Sequence, residues 1–340
     1  MARCLELAEK GMGAVVPNPL VGCVIVHEGK IIGEGYHGRY GEAHAEVNAI
    51  SSVRETGRLA DSTLYVNLEP CSHHGKTPPC SSLILEKKIP KLVVGTADPN
   101  PRVSGAGIEV LEKAGVRVKS GVLEKECRDL NRRFFKYHRD KKPWIILKWA
   151  RTRDGFIDRE RTGDDPEGVN WITGPEARQL VHRWRSEEQA ILVGTRTVIL
   201  DNPELTVRDW KGKNPLRLVI DREGKLSPQG KIFNNEADSL VFTSKPMKNF
   251  ERVKYITVPE GSDYIEVILK QLYAQEIQSL IVEGGAQLLD AFIQQGLWDE
   301  ARIFTGSQLF GSGIPSPEIN GDPAGKFSLG RDLLEIYRNS

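Results

Sequence analysis

The chain has 340 residues, and its 47 basic and 46 acidic side chains leave a formal net charge of +1. This length predicts two domains with substantial cores, and the balanced charge gives no bulk reason to expect a nucleic-acid binder. The longest apolar run, residues 20–26, is far shorter than the roughly 20 residues that cross a bilayer, and the N-terminus lacks the apolar segment of a secretory signal. We therefore expect neither membrane insertion nor export.

The cysteines indicate a reducing compartment. There are five of them, an odd number that argues against a disulfide framework. Cys4, Cys23 and Cys127 are scattered along the chain, whereas Cys71 and Cys80 bracket one loop flanked by prolines. We therefore expect a cytoplasmic protein in which Cys71 and Cys80 have a role of their own.

The first 140 residues alternate short apolar strands with helical patterns, which predicts a layered α/β domain. The predicted helices cover residues 3–10, 45–53, 81–88, 107–114 and 124–137. The predicted strands cover residues 20–26, 30–36, 63–68, 91–96 and 116–120, and the first two form a hairpin.

A charged run, HRDKKP, ends at Pro143 and has the composition of a domain junction. We place the boundary near residue 142, which gives domains of residues 1–142 and 143–340. The second domain is also α/β. Its predicted strands cover residues 144–149, 190–193, 217–220, 239–243, 255–258 and 279–282, and its predicted helices cover 174–186, 264–275 and 286–295.

Three candidate zinc ligands occur in the first domain: His44, Cys71 and Cys80. One imidazole and two thiolates are the protein ligands of a catalytic zinc site whose fourth position is open to water. Glu46 is the candidate to carry protons to and from that water. A histidine and a glutamate two positions apart do not share a helix face, so both can serve one site only if the helix points end-on at the metal.

The pattern matches the H-x-E and P-C signature of zinc nucleobase deaminases, except that eight residues rather than two separate the cysteines. Two alternatives stay open from the residues alone. His73 and His74 could compete as ligands, and the metal could be purely structural.

In the second domain, Glu283-Gly284-Gly285 joins an apolar strand to a predicted helix. Paired glycines at such a junction let backbone amides approach a phosphate at the positive end of a helix, although an ordinary tight turn uses the same residues. The G-x-G-x-x-G fingerprint is absent, so an ordinary Rossmann dinucleotide site is not indicated.

The stretches PNPLVGCVIV, GEAHAEVNAI and EPCSHHGKTPPC strongly resemble the deaminase half of the bifunctional riboflavin-biosynthesis deaminase–reductase family. The stretches LKWARTRDG, WITGPEAR, AILVGTRTVILDNPELTVR, PLRLVID and VEGGAQLLDAFI follow the order of that family's reductase half. The resemblance implies a cytidine-deaminase-like α/β/α layered domain followed by a dihydrofolate-reductase-like α/β domain.

For the first domain, the resemblance implies zinc-dependent hydrolytic deamination of 2,5-diamino-6-(5-phosphoribosylamino)pyrimidin-4-one, with Glu46 as the proton carrier. It also implies that Asn18 contacts the pyrimidine and that Lys76 and Thr77 hold the ribose phosphate. From the residues alone, Asn18 could equally be a turn residue between two prolines, and Lys76 a solvated surface lysine.

For the second domain, the resemblance implies NADPH-dependent reduction of the ribosyl to the ribityl side chain. The residues implied to contact NADPH are Trp171, Thr197, Asp201, Gly284 and Gly285. Those implied to line the site for the phosphorylated aminopyrimidine are Arg185, Leu205, Arg208 and Glu283. Without the resemblance, Arg185 and Arg208 could be exposed charges, and Asp201 could cap a turn.

Two features depart from the family pattern. The family has a small or apolar residue in place of Arg151 and leucine in place of Arg153, and the segment of residues 156–170 is longer and more charged than usual. An alternative is therefore a single-activity zinc pyrimidine deaminase with a degenerate reductase-like second domain.

The expected partner is a small phosphorylated aminopyrimidine, with no nucleic acid and no membrane. A nucleic-acid-editing relative is disfavoured by the balanced charge and by Lys76. A homo-oligomer stays open.

Overall fold

The computed structural model describes residues 1–72, 78–100, 104–161 and 168–339. The chain divides into two compact units, Met1–Lys141 and Lys142–Ser340. None of the helices in these ranges has the length and apolar character needed to span a bilayer. Each unit is built around its own sheet.

The first unit has a five-stranded sheet in the order β2-β1-β3-β4-β5, with β1 antiparallel to both neighbours and β3, β4 and β5 parallel. The strands are β1 Gly22–His27, β2 Lys30–Tyr36, β3 Thr63–Leu68, β4 Lys91–Thr96 and β5 Arg117–Lys119. The helices are α1 Ala2–Glu9, α2 Ala45–Ser51, α3 Cys80–Glu86, α4 Ala106–Lys113, α5 Glu124–Leu130 and α6 Arg132–Asp140, and a 3₁₀ turn covers Thr56–Asp61.

Alternating side chains of β1 pack into two hydrophobic cores on opposite faces of this sheet. Cys23 and Ile25 pack with α2, α3 and α4, whereas Val24 packs with α1. This period of two is what a strand covered on both faces requires. The result is three layers, α/β/α.

Two glycines of β2 allow α2 to lie directly on the strand backbone. A Cβ at Gly35 would lie 2.3 Å from the backbone nitrogen of Ala49, and a Cβ at Gly33 would lie 2.6 Å from the Ala49 carbonyl oxygen. Any side chain here would push α2 away, because backbone atoms cannot move aside independently. The close contact fixes the position of the N-terminus of α2, which His44 precedes.

The single helix predicted for residues 124–137 is wrong, because the structure breaks it at Asn131 between α5 and α6. The Asn131 side chain is buried, and it accepts from the backbone N–H of Leu20 at 2.8 Å and donates to the Leu20 carbonyl at 2.9 Å. Asn67 Nδ2 donates to the same carbonyl at 2.9 Å. Asparagine favours such contacts with backbone over a position in a helix interior, and this explains the break.

The second unit has a nine-stranded sheet in the order β11-β10-β9-β8-β12-β6-β13-β16-β15, parallel from β11 to β13 and antiparallel beyond. Its strands are β6 Trp144–Arg151, β8 Ala190–Gly194, β9 Leu216–Ile220, β10 Ser239–Thr243, β11 Val253–Thr257, β12 Ser279–Glu283, β13 Glu300–Thr305, β15 Gly325–Leu329 and β16 Asp332–Arg338. A separate pair joins β7 Phe156–Asp158 to β14 Ile314–Pro315.

Helices cover both faces of this larger sheet. They are α7 Pro175–Glu187, α8 Thr195–Asp201, α9 Tyr264–Ala274 and α10 Ala286–Gln294, and a 3₁₀ turn covers Lys231–Phe233. Leu147 and Trp149 of β6 pack with α9 and α10, whereas Ile146 packs with α7. Parallel strands that are covered on both faces have nearly continuous apolar sequences, and for this reason β6, β8 and β12 could be predicted from sequence.

The sequence patterns missed β13, β15 and β16 because charged side chains interrupt them. Arg302 of β13 is buried, and its Nε donates to Glu300 Oε1 at 2.6 Å. Glu335 of β16 is also buried, with Arg151 Nη2 at 3.0 Å and Lys326 Nζ at 3.2 Å. Charges are almost never buried unless they are paired. Glu300 is only two positions from Arg302, but Arg151 is 184 positions from Glu335.

Replacing Asn131 with alanine leaves the buried Leu20 N–H without its acceptor. We expect Asn131→Ala to lower the free energy of unfolding of the first unit by about 1–3 kcal/mol, the usual cost of an unsatisfied buried group. Urea denaturation of the full chain, followed by circular dichroism, measures this. Lys125→Ala on the exposed face of α5 is the control, and equal stability of the two variants would contradict the assignment.

Candidate functional site

The first unit brings together the three predicted zinc ligands. His44 has an extended backbone conformation directly before α2, Cys71 follows the end of β3, and Cys80 is the first residue of α3. His44 Nδ1 lies 3.7 Å from Cys71 Sγ and 3.4 Å from Cys80 Sγ. The backbone N–H of Cys80 also donates to Cys71 Sγ at 3.3 Å. The N-terminus of α2 thus points end-on at the cluster, the geometry that the His44–Glu46 spacing requires.

The donor atoms fit a tetrahedral zinc ion. All three lie within 4.8 Å of one another. Zinc–sulfur and zinc–nitrogen bonds of about 2.3 and 2.05 Å in tetrahedral geometry place nitrogen and sulfur about 3.6 Å apart, which falls between the two distances observed here. Three side-chain donors leave one coordination position for a water or substrate.

The cluster is also electrostatically suited to a cation. The hydrogen bond with Cys80 lowers the pKa of the Cys71 thiol to about 4, and the same interaction raises the pKa of Cys80. The hydrogen bond with Cys71 raises the pKa of His44. A sulfur that carries negative charge at neutral pH, beside a second sulfur and an imidazole, is a site for a soft divalent metal.

Glu46 lies in the first turn of α2 and is only 3% exposed. Burial raises its pKa, and the charge of Cys71 adds to this effect. Its side chain also interacts with that of Cys80. A carboxyl group with a raised pKa at the edge of the cluster, and not among the clustered donors, is placed to exchange protons with a ligand of the metal.

His37 is a site residue that the sequence patterns missed. It lies directly after β2, its ring is 5.5 Å from that of His44, and it is 3% exposed. Burial lowers its pKa, which favours the neutral form of the ring. Its Nδ1–H donates to the Ala43 carbonyl at 3.0 Å, and its Nε2 accepts from Asn18 Nδ2 at 3.0 Å. The pair fixes the orientation of the Asn18 amide, but a histidine after a strand is too common to be singled out from sequence.

Glu69 is a second residue without a sequence signal. Its buried carboxylate follows β3 and accepts backbone N–H groups from Asp98, Gly105 and Gly107 at 3.1, 2.9 and 2.9 Å. It therefore joins the strand end that leads to Cys71 to the loop after β4. Lys76 and Thr77, together with His73 and His74, lie outside the described residues.

The second unit contains a cavity of about 1640 Å³ at the carboxyl ends of the parallel strands β6, β8, β9 and β12. This edge is the usual ligand site of open α/β sheets. All nine residues singled out from sequence in this unit line the cavity: Trp171, Thr197, Asp201, Gly284, Gly285, Arg185, Leu205, Arg208 and Glu283.

The Gly284-Gly285 turn is held by the side chain of Thr197. The backbone N–H of Gly285 donates to Thr197 Oγ1 at 3.0 Å. Gly284 has a φ of 141°, which strongly favours glycine, and a Cβ there would lie 3.1 Å from the same oxygen. Helix α10 begins at Ala286, so the turn presents its backbone and a helix N-terminus to the cavity.

Three charged side chains form a buried cluster in the cavity wall. Arg185 binds Glu283 in a bidentate pair at 3.1 and 2.8 Å, and Lys148 Nζ lies 3.7 Å from Glu283 Oε2. Burial opposes ionisation of Glu283, but the charges of Arg185 and Lys148 hold its pKa at about 2. Burial also lowers the pKa of Lys148. Lys148, in the middle of an apolar strand, was missed because nothing in the sequence links it to Glu283.

Arg208 and Leu205 lie in the segment before β9. Arg208 Nη1 lies 3.2 Å from Glu204 Oε2, and the backbone N–H of Arg208 donates to His182 Nδ1 at 3.1 Å. Leu205 has a φ of 55°, an uncommon conformation for a side chain of this kind. The guanidinium groups of Arg185 and Arg208 both donate to Thr206, to its carbonyl and its hydroxyl respectively, so the cavity wall carries two neighbouring groups of the kind that binds phosphate.

The two departures from the family pattern are accommodated in the structure. Arg151 donates to Thr305 Oγ1 and Glu335 Oε2, both at 3.0 Å, and therefore ties three strands together. The described part of the segment 156–170 lies along the cavity, where Arg161 contacts Asp201. Neither departure displaces a cavity residue that the resemblance implies.

Family comparisons cover both units. Residues 1–96 match the model of the cytidine and deoxycytidylate deaminase zinc-binding region, and residues 143–327 match the model of the RibD C-terminal domain. Riboflavin biosynthesis protein RibD of Aquifex aeolicus is 42% identical over 320 residues, which cover 92% of this chain and 88% of that protein.

Solved structures agree with this match. A crystal structure from Thermotoga maritima, described as a diaminohydroxyphosphoribosylaminopyrimidine deaminase/5-amino-6-(5-phosphoribosylamino)uracil reductase, is 39% identical with a TM-score of 0.90, covering 100% of this chain and 97% of that one. RibD of Acinetobacter baumannii is 31% identical with a TM-score of 0.88 and the same coverage. The predicted fold class is confirmed. The chain therefore belongs to the RibD family of riboflavin-biosynthesis enzymes, with a zinc-dependent deaminase domain followed by an NADPH-dependent reductase domain.

Proposed function

We propose that this chain deaminates 2,5-diamino-6-(5-phosphoribosylamino)pyrimidin-4-one and then reduces the ribosyl side chain of the product to ribityl. The observation that carries the proposal is the convergence of His44, Cys71 and Cys80 beside the buried carboxyl of Glu46. The name of the Thermotoga maritima protein, which states a deaminase for diaminohydroxyphosphoribosylaminopyrimidine and a reductase for 5-amino-6-(5-phosphoribosylamino)uracil, supports the choice of the two substrates.

In the deaminase unit, His44, Cys71 and Cys80 would hold zinc, which would supply Lewis-acid activation of the attacking water. Glu46 takes a proton from this water as the water attacks the amino-bearing ring carbon, and delivers it to the departing ammonia. The raised pKa of Glu46 suits both transfers, because the group must accept and release a proton in one cycle. Asn18, held by His37, contacts the pyrimidine edge. Lys76 and Thr77 are assigned the ribose phosphate.

In the reductase unit, bound NADPH would supply the hydride that reduces the anomeric carbon of the ring-opened ribose. Trp171, Thr197, Asp201 and the Gly284-Gly285 turn bind the cofactor, and Arg185, Leu205, Arg208 and Glu283 contact the substrate. Lys148 donates the proton that the nitrogen of the C=N bond needs once hydride has reached carbon. Its lowered pKa and its place in the cavity wall support this role.

We assign the chain to the cytoplasm, where its partner is a small phosphorylated aminopyrimidine and not a nucleic acid or a membrane. The five cysteines are free thiols, and two of them are needed reduced for metal binding. A compartment that keeps thiols reduced fits this requirement.

Glu46→Gln removes the proton carrier while leaving all three metal donors. We expect deamination, measured as ammonia release, to fall by about two to four orders of magnitude, the usual contribution of general acid–base catalysis. Zinc content and NADPH-dependent reduction of the deaminated substrate stay at the level of the unmodified chain. Glu42→Gln, an exposed glutamate two positions before His44, is the control. Substantial deamination by Glu46→Gln would mean that the site has a structural role.

Removal of zinc separates the two activities. Treatment with a zinc chelator is expected to abolish ammonia release and to spare NADPH oxidation with the deaminated substrate, because the three donors belong to the first unit alone. Added zinc restores deamination. Loss of NADPH oxidation in parallel would show that the reductase depends on the metal, and no NADPH oxidation in the untreated chain would favour a single-activity deaminase.

Lys148→Arg keeps the positive charge beside Glu283 but holds its proton too tightly to donate it. We expect kcat for reduction to fall by about 10²-fold or more, in the range of general acid catalysis, with NADPH affinity retained. In the unmodified chain, kcat falls as pH rises through the pKa of Lys148, which burial places below that of an ordinary lysine. A pH-independent kcat between pH 6 and about 10 would contradict this role.

A further inference from the structure

A single buried arginine connects the segment after β7 to the cavity wall of the second unit. The Arg161 side chain is only 6% exposed. Its Nη1 donates to the carbonyl oxygens of Gly168 and Leu200 at 2.7 and 3.1 Å. Its Nη2 lies 2.9 Å from a carboxylate oxygen of Asp158 and 2.9 Å from Asp201 Oδ1. Four groups from three stretches of chain thus meet at one guanidinium.

Arg161 contacts two segments that carry predicted cofactor residues. Leu200 and Asp201 are the last residues of α8, the helix that also carries Thr197. Gly168 lies three residues before Trp171, and its own N–H donates to the Leu200 carbonyl at 2.9 Å. Arg161 therefore connects the end of α8 to the segment between Gly168 and Trp171.

The charges explain why a cation is needed at this point. The carboxylates of Asp158 and Asp201 both contact Nη2 of Arg161, so they lie close together around one nitrogen. Asn170 Nδ2 also donates to Asp158 Oδ1 at 2.8 Å. Without the guanidinium, two like charges would face each other in a partly buried wall, and Asp201 would repel an anionic ligand.

Asp201 retains one oxygen for a ligand. Among the residues that the structure describes, Oδ1 is bound by Arg161 and Oδ2 has no hydrogen-bond partner, and Asp201 lines the cavity. A carboxylate in this position accepts hydrogen bonds from hydroxyl or amide N–H donors. A buried ion pair adds little net stability, because desolvation offsets the attraction, so the contribution of this pair is one of geometry and charge.

We propose that Arg161 is a positioning residue for NADPH. It holds Asp201 with one oxygen facing the cavity, compensates the Asp158–Asp201 charge against the anionic cofactor, and joins the end of α8 to the segment before Trp171. The inference rests on the proposed reductase function. It also gives a role to the described part of the charged segment that departs from the family pattern, since Asp158, Arg161 and Asn170 belong to it.

The test is equilibrium titration of the full chain with NADPH, followed by energy transfer from tryptophan to the bound dihydronicotinamide. We expect Arg161→Gln to raise Kd for NADPH about tenfold or more, as for other losses of one partner of a buried charge pair. Arg161→Lys recovers part of this loss, because it keeps the charge but bridges fewer acceptors. Arg159→Gln, whose exposed guanidinium lies over the ring of Phe310, leaves Kd unchanged.

A double-mutant cycle with Asp201→Asn separates positioning from a general structural effect. In the Asp201→Asn background, Arg161→Gln is expected to raise Kd by a smaller factor than in the unmodified chain, because one of the two carboxylates that Arg161 compensates has been neutralised, whereas its contacts with Asp158, Gly168 and Leu200 are lost in both backgrounds. KM for the pyrimidine substrate stays constant, and ammonia release by the first unit reports that the chain remains folded.

Two results would overturn the inference: an Arg161→Gln variant that binds NADPH as well as the unmodified chain, or an equal loss in the presence and absence of the Asp201 charge. Failure of the unmodified chain to bind NADPH at all would instead overturn the proposed reductase function, and this inference with it.

Discussion

The direct packing of α2 on the backbone of β2 is the constraint on which the deaminase site depends. Gly33 and Gly35 leave no room for a side chain at this contact, so the position of the helix start is set by backbone against backbone. His44 and Glu46 inherit that position, one just before the helix and the other in its first turn. A residue pair that could not share a face in mid-helix thereby serves one cluster with Cys71 and Cys80.

In the second unit, the constraint is electrostatic. The cavity wall contains buried charges of both signs, although an anionic cofactor and a phosphorylated substrate must bind beside it. Arg185, Glu283 and Lys148 neutralise one another in part and leave a net positive charge beside the cavity. Arg161 performs a comparable compensation for two aspartates. Each of these charges is held in its orientation by a neighbour of opposite sign.

Much of this arrangement could be predicted from the sequence. Apolar runs such as those of β6 and β12 indicate buried parallel strands. The H-x-E pattern of His44 and Glu46, together with Cys71 and Cys80, predicts a deaminase-type zinc site even though the cysteine spacing is unusual, because the chemistry restricts which residue types can serve. Strands with buried charges escaped detection because the charges interrupt the apolar pattern, as Glu300 and Arg302 do in β13. The partner Arg151 that allows Glu335 of β16 to be buried is visible only in three dimensions. The break at Asn131 escaped for the same reason, since its partner Leu20 is 111 positions away.

The supporting residues of the sites were the hardest to anticipate. His37 and Lys148 have no local pattern, and their importance comes from the groups that they face: Asn18 in one case and Glu283 in the other. The family resemblance identifies cavity residues that are expected to contact ligands. It does not identify the residues that hold the ligand-contacting side chains in place. The three-dimensional structure identifies those supporting residues.

The carboxylate of Glu69 has a consequence for how the deaminase unit can vary. Because its two oxygens receive amide hydrogens from both the loop after β4 and the start of α4, the strand end that leads to Cys71 and that loop move as one body. An amide in place of this carboxylate would offer a single acceptor oxygen and would release part of the loop. Insertions between β4 and α4 would thus change the affinity for the metal, even though none of the described residues of that loop is among the clustered donors.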